Sequence, residues 1–392
     1  MDSMASMAEV VTPFRIDVPD ADLADLRDRL RRTRWPERET VDDWSQGVPL
    51  AYVQDLCRYW ADGYDWRARE ARLNGFSQYR TQIDGLAIHF VHVRSPHGGA
   101  LPLVMTHGWP GSVVEFLKVI GPLTDPAAHG GDPADAFHVV CPSLPGYGFS
   151  GKPAAPGWGV ERIARAWAAL MARLGYGRYG AQGSDWGTSV TTSLGQQDAA
   201  HLAGIHVVPP IAAPDPATLD NLTEAERASL LALREAGERE SGYSAEQSTK
   251  PQTLGYGLVD SPAGLAAWIA EKFWAWTDHG GHLENVVSRD ELLDNIMLYW
   301  LPGTAASSAR LYWESFGQVS DWFTRAATDT VDVPAGGTVF PKEIPHPSRR
   351  WAARRYTDLR HWGEPPRGGH FAAMEQPELL VGEVRSFFRL VR

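Results

Sequence analysis

The first eighty residues place apolar side chains at the spacing of helices, and the pattern then changes to that of strands. The helical segments are residues 20–34, 53–60 and 66–73. Residues 78–83 and 86–93 follow as two strands around Asp84-Gly85, a dipeptide typical of tight hairpin turns. We therefore predict an N-terminal helical arm, residues 1–80, that leads into a β-sheet.

From residue 101 onward short apolar runs alternate with helical stretches. The strand-like runs are residues 103–106, 138–141, 179–182, 205–208 and 337–340. Helical patterns without strands occur at residues 223–239, 262–276, 289–299 and 305–316, and a last amphipathic helix is predicted over 377–390. Such alternation indicates an α/β fold with a mostly parallel, doubly wound sheet. We predict a core in two parts, residues 81–212 and 326–392, with an inserted helical cap over residues 213–325.

Composition and charge restrict the class of protein. The chain has 392 residues, of which 22% are charged and 43% hydrophobic, as in a soluble globular enzyme. Its net charge of −11 argues against nucleic acid or an anionic membrane surface as a partner. Residues 1–12 lack a signal sequence and no run of 18 apolar residues occurs, so we expect a cytoplasmic protein. Cys57 and Cys141 lie far apart, which argues against a disulfide framework or a cysteine metal site.

The segment GSDWG, residues 183–187, has the spacing of a nucleophile elbow with an aspartate in the place of serine. Residues 178–182 read as a strand leading into it and residues 188–196 as a helix leading out, as the motif requires. A serine elbow forms an acyl enzyme, whereas Asp185 would attack the sp3 carbon of an epoxide or alkyl halide and become the acyl half of an ester. An ordinary Asp-Gly turn is the alternative interpretation.

The loop at residues 107–110 carries candidate groups for this chemistry. HGWP, residues 107–110, follows a strand, so the backbone N–H groups of Trp109 and of Trp186 are candidate donors to an oxyanion. For His107 itself a structural role is favoured over a catalytic one. A tight turn stabilised by glycine and proline is the alternative interpretation of the loop.

The candidate base is His370, in a loop before the last helix, since imidazole titrates near neutral pH. Glu343, after the strand-like run at 337–340, is the candidate acid that orients it, with Asp332 as the alternative. A surface glutamate beside Lys342 remains the alternative role of Glu343. In the cap, Tyr243 and Tyr312 are candidate hydrogen-bond donors to an epoxide oxygen, although twelve tyrosines offer many choices.

Several motifs together resemble those of the microsomal-type epoxide hydrolases. They are HGWPGS at 107–112, LPGYGFS at 144–150, GSDWG at 183–187, FPKE at 340–343 and RGGHFAAMEQPELL at 367–380. Residues 14–36 resemble the start of that family's N-terminal domain. The resemblance implies an α/β-hydrolase fold with a helical lid, Asp185 as nucleophile, a Glu343-His370 pair that activates water, and Tyr243 and Tyr312 as the lid tyrosines. It also implies a soluble bacterial protein without metal or organic cofactor; some such members serve in natural-product biosynthesis, including enediyne antibiotic pathways.

We therefore expect an enzyme that converts a small-molecule epoxide and water to a vicinal diol through an ester on Asp185. A haloalkane or haloacid dehalogenase is the nearest alternative, and a catalytically silent, ligand-binding α/β-hydrolase scaffold is another. Tryptophans in the predicted cap make an aromatic or bulky apolar substrate plausible, although they equally fill cores; they are Trp268, Trp274, Trp276 and Trp300. A homodimer is left open by the sequence.

Overall fold

A computed structural model describes residues 10–325 and 329–392 of the chain. Residues 1–9 lie outside the described residues. They are the start of the predicted arm and most of residues 1–12, where no signal sequence was found. The same holds for residues 326–328, where the predicted boundary between the cap and the second part of the core falls. The predicted domain limits stay predictions.

The described part of the N-terminal arm contains one short strand and three helices. These are β1 (Thr12–Phe14), α1 (Asp20–Arg31), α2 (Leu50–Asp62) and α3 (Trp66–Leu73). Leu23, Leu26 and Leu30 are buried along one face of α1, which confirms the helical pattern, although the helix ends three residues before the predicted limit at 34. Further along the chain Asp294 accepts hydrogen bonds from Tyr64 (2.8 Å) and from Arg69 Nε (2.8 Å), so the arm is fixed to a helix of the cap.

The described part of the chain forms one nine-stranded sheet. Its remaining strands are β2 (Gln78–Ile83), β3 (Leu86–Val93), β4 (Leu101–Thr106), β5 (Phe137–Pro142), β6 (Tyr179–Ser184), β7 (Leu202–Val208), β8 (Ala335–Thr338) and β9 (Leu359–Gly363). The order is β1-β2-β3-β5-β4-β6-β7-β8-β9. The antiparallel pairs are β1-β2, β2-β3 and β3-β5. The parallel pairs are β5-β4, β4-β6, β6-β7, β7-β8 and β8-β9. The α/β fold is confirmed, while β1 and β9 were not predicted.

The turn between β2 and β3 has the conformation that its sequence predicts. Asp84 and Gly85 both have positive φ, +50° and +76°. Two successive left-handed residues are the signature of a type I′ turn, whose twist matches that of the paired strands. The predicted hairpin is therefore confirmed, and Ile83 pairs with Leu86 directly across the turn.

Helices cover the sheet and form the cap. They are α4 (Leu117–Thr124), α5 (Val160–Arg173), α6 (Trp186–Gln197), α7 (Glu224–Arg239), α8 (Gly242–Thr249), α9 (Pro251–Asp260), α10 (Pro262–Trp276), α11 (Arg289–Trp300), α12 (Ala305–Thr324), α13 (Arg349–Arg355), α14 (Ala372–Glu375) and α15 (Pro377–Phe388). Helices α7 to α12 lie between β7 and β8, where the cap is expected. Among the described residues no helix is long and apolar enough to cross a membrane.

Candidate active site

Asp185 lies between β6 and α6, in a strained turn of the kind that the elbow motif predicts. Its backbone has φ +54° and ψ −127°, a region that residues with a side chain rarely occupy. A Cβ atom on Gly183 would lie 2.0 Å from the carbonyl oxygen of Gly187, and one on Gly187 would lie 1.9 Å from that of Thr106. Both flanking positions therefore require glycine because strand and helix approach each other closely.

The two carboxylate oxygens of Asp185 have different partners. Oδ1 accepts a hydrogen bond from the backbone N–H of Trp109 (2.7 Å), and Oδ2 lies 3.3 Å from His370 Nε2. A Cβ atom on Gly108 would lie 1.9 Å from Oδ1, so glycine is needed there for the carboxylate to reach the HGWP loop. Within the described chain Trp186 N–H makes no hydrogen bond to Asp185, but it belongs to the first turn of α6, whose N–H groups lack helical partners.

His370 is held on its other side by a glutamate. Its Nδ1 lies 2.9 Å from Oε1 of Glu343, which is only 3% exposed and also accepts the N–H of Ile344 (3.1 Å). Asp332 is exposed and accepts a hydrogen bond from Thr357 Oγ1 (2.7 Å), on the surface. The geometry therefore favours Glu343 over Asp332 as the acid partner.

The two carboxylates determine the charge of His370. Burial alone lowers its pKa, but the charges and hydrogen bonds of Glu343 and Asp185 outweigh that effect and raise the pKa well above its usual range. The two carboxylates therefore favour the protonated form of His370 in the resting site. Removal of either negative charge would lower the pKa of His370 again.

Tyr243 and Tyr312 come together in the same pocket although they lie on α8 and α12. Their ring centroids are 5.8 Å apart at 79°. Trp109 contacts both rings, stacked on Tyr243 at 5.1 Å and edge-on to Tyr312 at 5.8 Å, and Trp186 lies 4.8 Å from Tyr312. Burial, followed by the charge of Asp185 for Tyr243, raises the pKa of both phenols, so both are protonated donors.

The loop that carries His370 is fixed to the end of α10 in the cap. The backbone N–H of His370 donates to the carbonyl oxygen of Trp276 (2.9 Å), and the N–H of Gly368 donates to Asp278 Oδ2 (3.0 Å). Glu375 in turn accepts the N–H of Asp278 (2.7 Å). Asp278 and Glu375 could not be recognised from the sequence, because the contacts that join the cap to the His370 loop link segments about 90 residues apart, which leave no local pattern.

The HGWP loop is supported by two buried titratable groups. His107 Nδ1 lies 2.9 Å from the carbonyl oxygen of Gly108, its Nε2 accepts the N–H of Leu144 (3.2 Å), and burial lowers its pKa to about 4. It is a neutral histidine with both ring nitrogens engaged, which supports the structural role. Glu115, which the sequence analysis also missed, packs against Gly111, and burial raises its pKa to about 8.

Of the four tryptophans that suggested an aromatic pocket, only Trp276 lies at this site. Its ring is 4.8 Å from that of His370 and 5.3 Å from that of Tyr243. Trp274 instead stacks on Trp44 of the arm at 4.2 Å, and Trp300 lies 5.9 Å from the Arg29 guanidinium. Trp268 donates its indole N–H to Gln247 (3.1 Å). Packing is thus the main role of three of them.

The fold and the elbow define an α/β-hydrolase with a carboxylate in the nucleophile position. Residues 102–236 match the family model of the alpha/beta hydrolase fold, and residues 11–116 match that of the epoxide hydrolase N terminus. A protein of Stigmatella aurantiaca (strain DW4/3-1), assigned by name to the epoxide hydrolases, is 55% identical over 97% of this chain and 86% of its own length. Epoxide hydrolase 1 of Sus scrofa is 38% identical over 99% of this chain and 90% of its own.

Solved structures agree with these relatives. The crystal structure of juvenile hormone epoxide hydrolase from the silkworm Bombyx mori superimposes with a TM-score of 0.88 at 30% identity, covering 99% of this chain and 97% of that one. Aspergillus niger epoxide hydrolase gives a TM-score of 0.87 at 31% identity, with 99% and 98% covered. The chain belongs to the epoxide hydrolase family, and it is a hydrolase.

Proposed function

We propose that the protein hydrolyses its epoxide in two steps through a covalent ester on Asp185. The observation that carries this proposal is the position of the Asp185 carboxylate. It lies at a strained elbow between the Trp109 N–H and His370, in a pocket that also contains two protonated phenols. A nucleophile, a base and proton donors thus meet in one buried place.

In the first step Asp185 opens the epoxide ring. Oδ1 is held by the Trp109 N–H, so Oδ2 is the oxygen that attacks a ring carbon. The phenols of Tyr243 and Tyr312 donate hydrogen bonds to the epoxide oxygen as its bond to that carbon breaks, and one phenol transfers its proton. The products are a hydroxyalkyl ester on Asp185 and a phenolate, which is reprotonated by the imidazolium of His370.

In the second step water cleaves the ester. Esterification removes the negative charge of Asp185, one of the two carboxylates that raise the pKa of His370, so the imidazole becomes free to act as a base. It takes a proton from water while Glu343 stabilises the new imidazolium, and the hydroxide attacks the ester carbonyl. The Trp109 N–H, with that of Trp186, receives the oxyanion. The tetrahedral intermediate then collapses and expels the diol as an alkoxide, which takes the proton of the Asp185 carboxylic acid. Asp185 is again a carboxylate and His370 again an imidazolium.

Aromatic rings around the two phenols support an epoxide with an aromatic or bulky apolar substituent. The indoles of Trp109, Trp186 and Trp276 all contact one of the tyrosines or His370. Paired phenols also favour an epoxide over an alkyl halide, because a leaving alkoxide must be protonated and a halide need not be. Natural-product biosynthesis, the cytoplasmic location and the homodimer stay predictions.

Trapping of the ester tests the mechanism. His370→Gln lacks the base of the second step and should slow turnover by about 10²- to 10⁴-fold, while the ester still forms. Intact-protein mass spectrometry after mixing with styrene oxide should show a gain of one substrate mass. If the wild type produces diol and this variant never gains that mass, the covalent mechanism is wrong.

An isotope experiment provides an independent check. In a single turnover of the wild type in ¹⁸O-labelled water, the first diol should carry unlabelled oxygen from Asp185. Heavy oxygen in that first diol would show that water attacks the epoxide directly.

A further inference from the structure

Lys272 is a buried cation beside one of the two tyrosines. It lies in α10, is 2% exposed, and its Nζ atom is 4.6 Å from the ring centroid of Tyr243 and 5.7 Å from that of Trp276. Lysine is rarely buried to this degree, because taking an ammonium group out of water is costly unless it is paired. The position of the Lys272 amino group against the ring of Tyr243 therefore suggests a role other than packing.

Two glutamates lie beside the amino group of Lys272. Nζ lies 2.8 Å from Glu271 Oε1 and 3.7 Å from Glu240 Oε2. The Glu271 charge by itself acts against any negative charge on Tyr243, since it contributes to raising the pKa of that phenol. Lys272 thus neutralises a carboxylate that would otherwise oppose proton donation by Tyr243, and it also places its own charge against the ring.

The contact matters most during ring opening. As Tyr243 gives its proton to the epoxide oxygen, negative charge grows on the phenol, and a cation over the ring stabilises that charge. The ring cannot move away, because Trp109 stacks on it with an interplanar angle of 9°. Among the described residues no lysine or arginine lies over the ring of Tyr312 in the same way.

We propose that Lys272 is a positioning residue of the ring-opening step, and that it makes Tyr243 the phenol that transfers its proton while Tyr312 serves as the second hydrogen-bond donor. This inference rests on the two-step function proposed above. It assigns unequal roles to two tyrosines that the pocket brings together.

Stopped-flow tryptophan fluorescence with styrene oxide, combined with quenched-flow mass spectrometry, separates ester formation from ester hydrolysis. Lys272→Met keeps the length of the side chain but removes its charge, and should slow ester formation about tenfold with hydrolysis unchanged. Lys272→Arg keeps the charge and should stay within about threefold of the wild type. Lys118→Met, which removes another ion-paired lysine, is the matched control and should leave ester formation unchanged.

The decisive comparison uses the tyrosine variants as backgrounds. In Tyr312→Phe the loss from Lys272→Met should remain about tenfold, whereas in Tyr243→Phe it should vanish, because the hydroxyl through which the charge acts is gone. An equal loss in both backgrounds, or an equal slowing of ester hydrolysis, would overturn the inference and leave Lys272 with a role in packing. If no variant forms an ester at all, His370→Gln included, the proposed function itself has failed.

Discussion

The core and the cap contribute to one site by different physical means. On the core side Asp185, His370 and Glu343 lie on loops after strands, and polar contacts of 3.3 Å and 2.9 Å link His370 to the two carboxylates. On the cap side Tyr243 and Tyr312 project from helices and are held by ring packing around Trp109. In the proposed mechanism this difference means that charge controls when each core group reacts, whereas the cap supplies neutral hydrogen-bond donors whose effects on the rate are graded.

The core side should therefore fail completely when its nucleophile is removed. Asp185→Ala has no carboxylate to form the ester, and we expect diol production to fall by about 10⁴-fold or more. Chiral chromatography of the products from racemic styrene oxide measures this loss and, for the wild type, reports enantiopreference. Diol formed by the variant at more than about 1% of the wild-type rate would show that Asp185 does not carry the reaction.

The cap side should fail only in part. Tyr243→Phe and Tyr312→Phe each remove one donor to the epoxide oxygen and should slow ester formation by about 10- to 100-fold. The loss should be the larger for Tyr243→Phe, which removes the phenol proposed to transfer its proton, and the double variant should lose most of the remaining activity. The rings stay in place, so the melting temperature should change little, and calorimetry can verify this. A single tyrosine variant as inactive as Asp185→Ala would remove the distinction between the two sides.

The same contrast explains what the sequence could predict. The core loops are recognisable because their backbone dictates residue types. Gly183 and Gly187 are required by the close approach of strand and helix, and their spacing marks Asp185 as the residue at the elbow. The hairpin at Asp84-Gly85 was predictable for the same kind of reason.

The cap offers no such local constraint. Helices α8 and α9 were not predicted, since the first is rich in small polar residues and the second contains Gly255 and Gly257. Tyr243 and Tyr312 were selected chiefly by resemblance to a family, because a tyrosine on a helix has no local signature. Lys272 contacts Tyr243, and Glu375 contacts Asp278; both contacts join segments distant in the sequence, which only the folded chain displays.

The smallest effect that we predict concerns the stability of the core side. Burial, opposed by the charge of His370, raises the pKa of Glu115 from 4.5 to about 8. The folded protein therefore keeps a proton that the unfolded chain loses between those pH values, and the free energy of unfolding falls as the pH rises through this window. Glu115→Gln should match the wild type near pH 4.5 and become steadily more stable than the wild type as the pH rises to 9. Thermal melts from pH 4.5 to 9 measure the difference.

Glu226, a buried glutamate of the cap, provides the matched control. Its hydrogen bond from Arg350 lowers its pKa to about 2, so its contribution to stability is complete above pH 4.5 and is lost only as the pH falls towards 2. Glu226→Gln should therefore be less stable than the wild type by a constant amount across the same range of pH. If the difference for Glu115→Gln were equally constant, the Glu115 carboxyl would not titrate between pH 4.5 and 8 in the folded protein. Any pH dependence of the free energy of unfolding that arises in the core side would then have to come from the charged groups around His370.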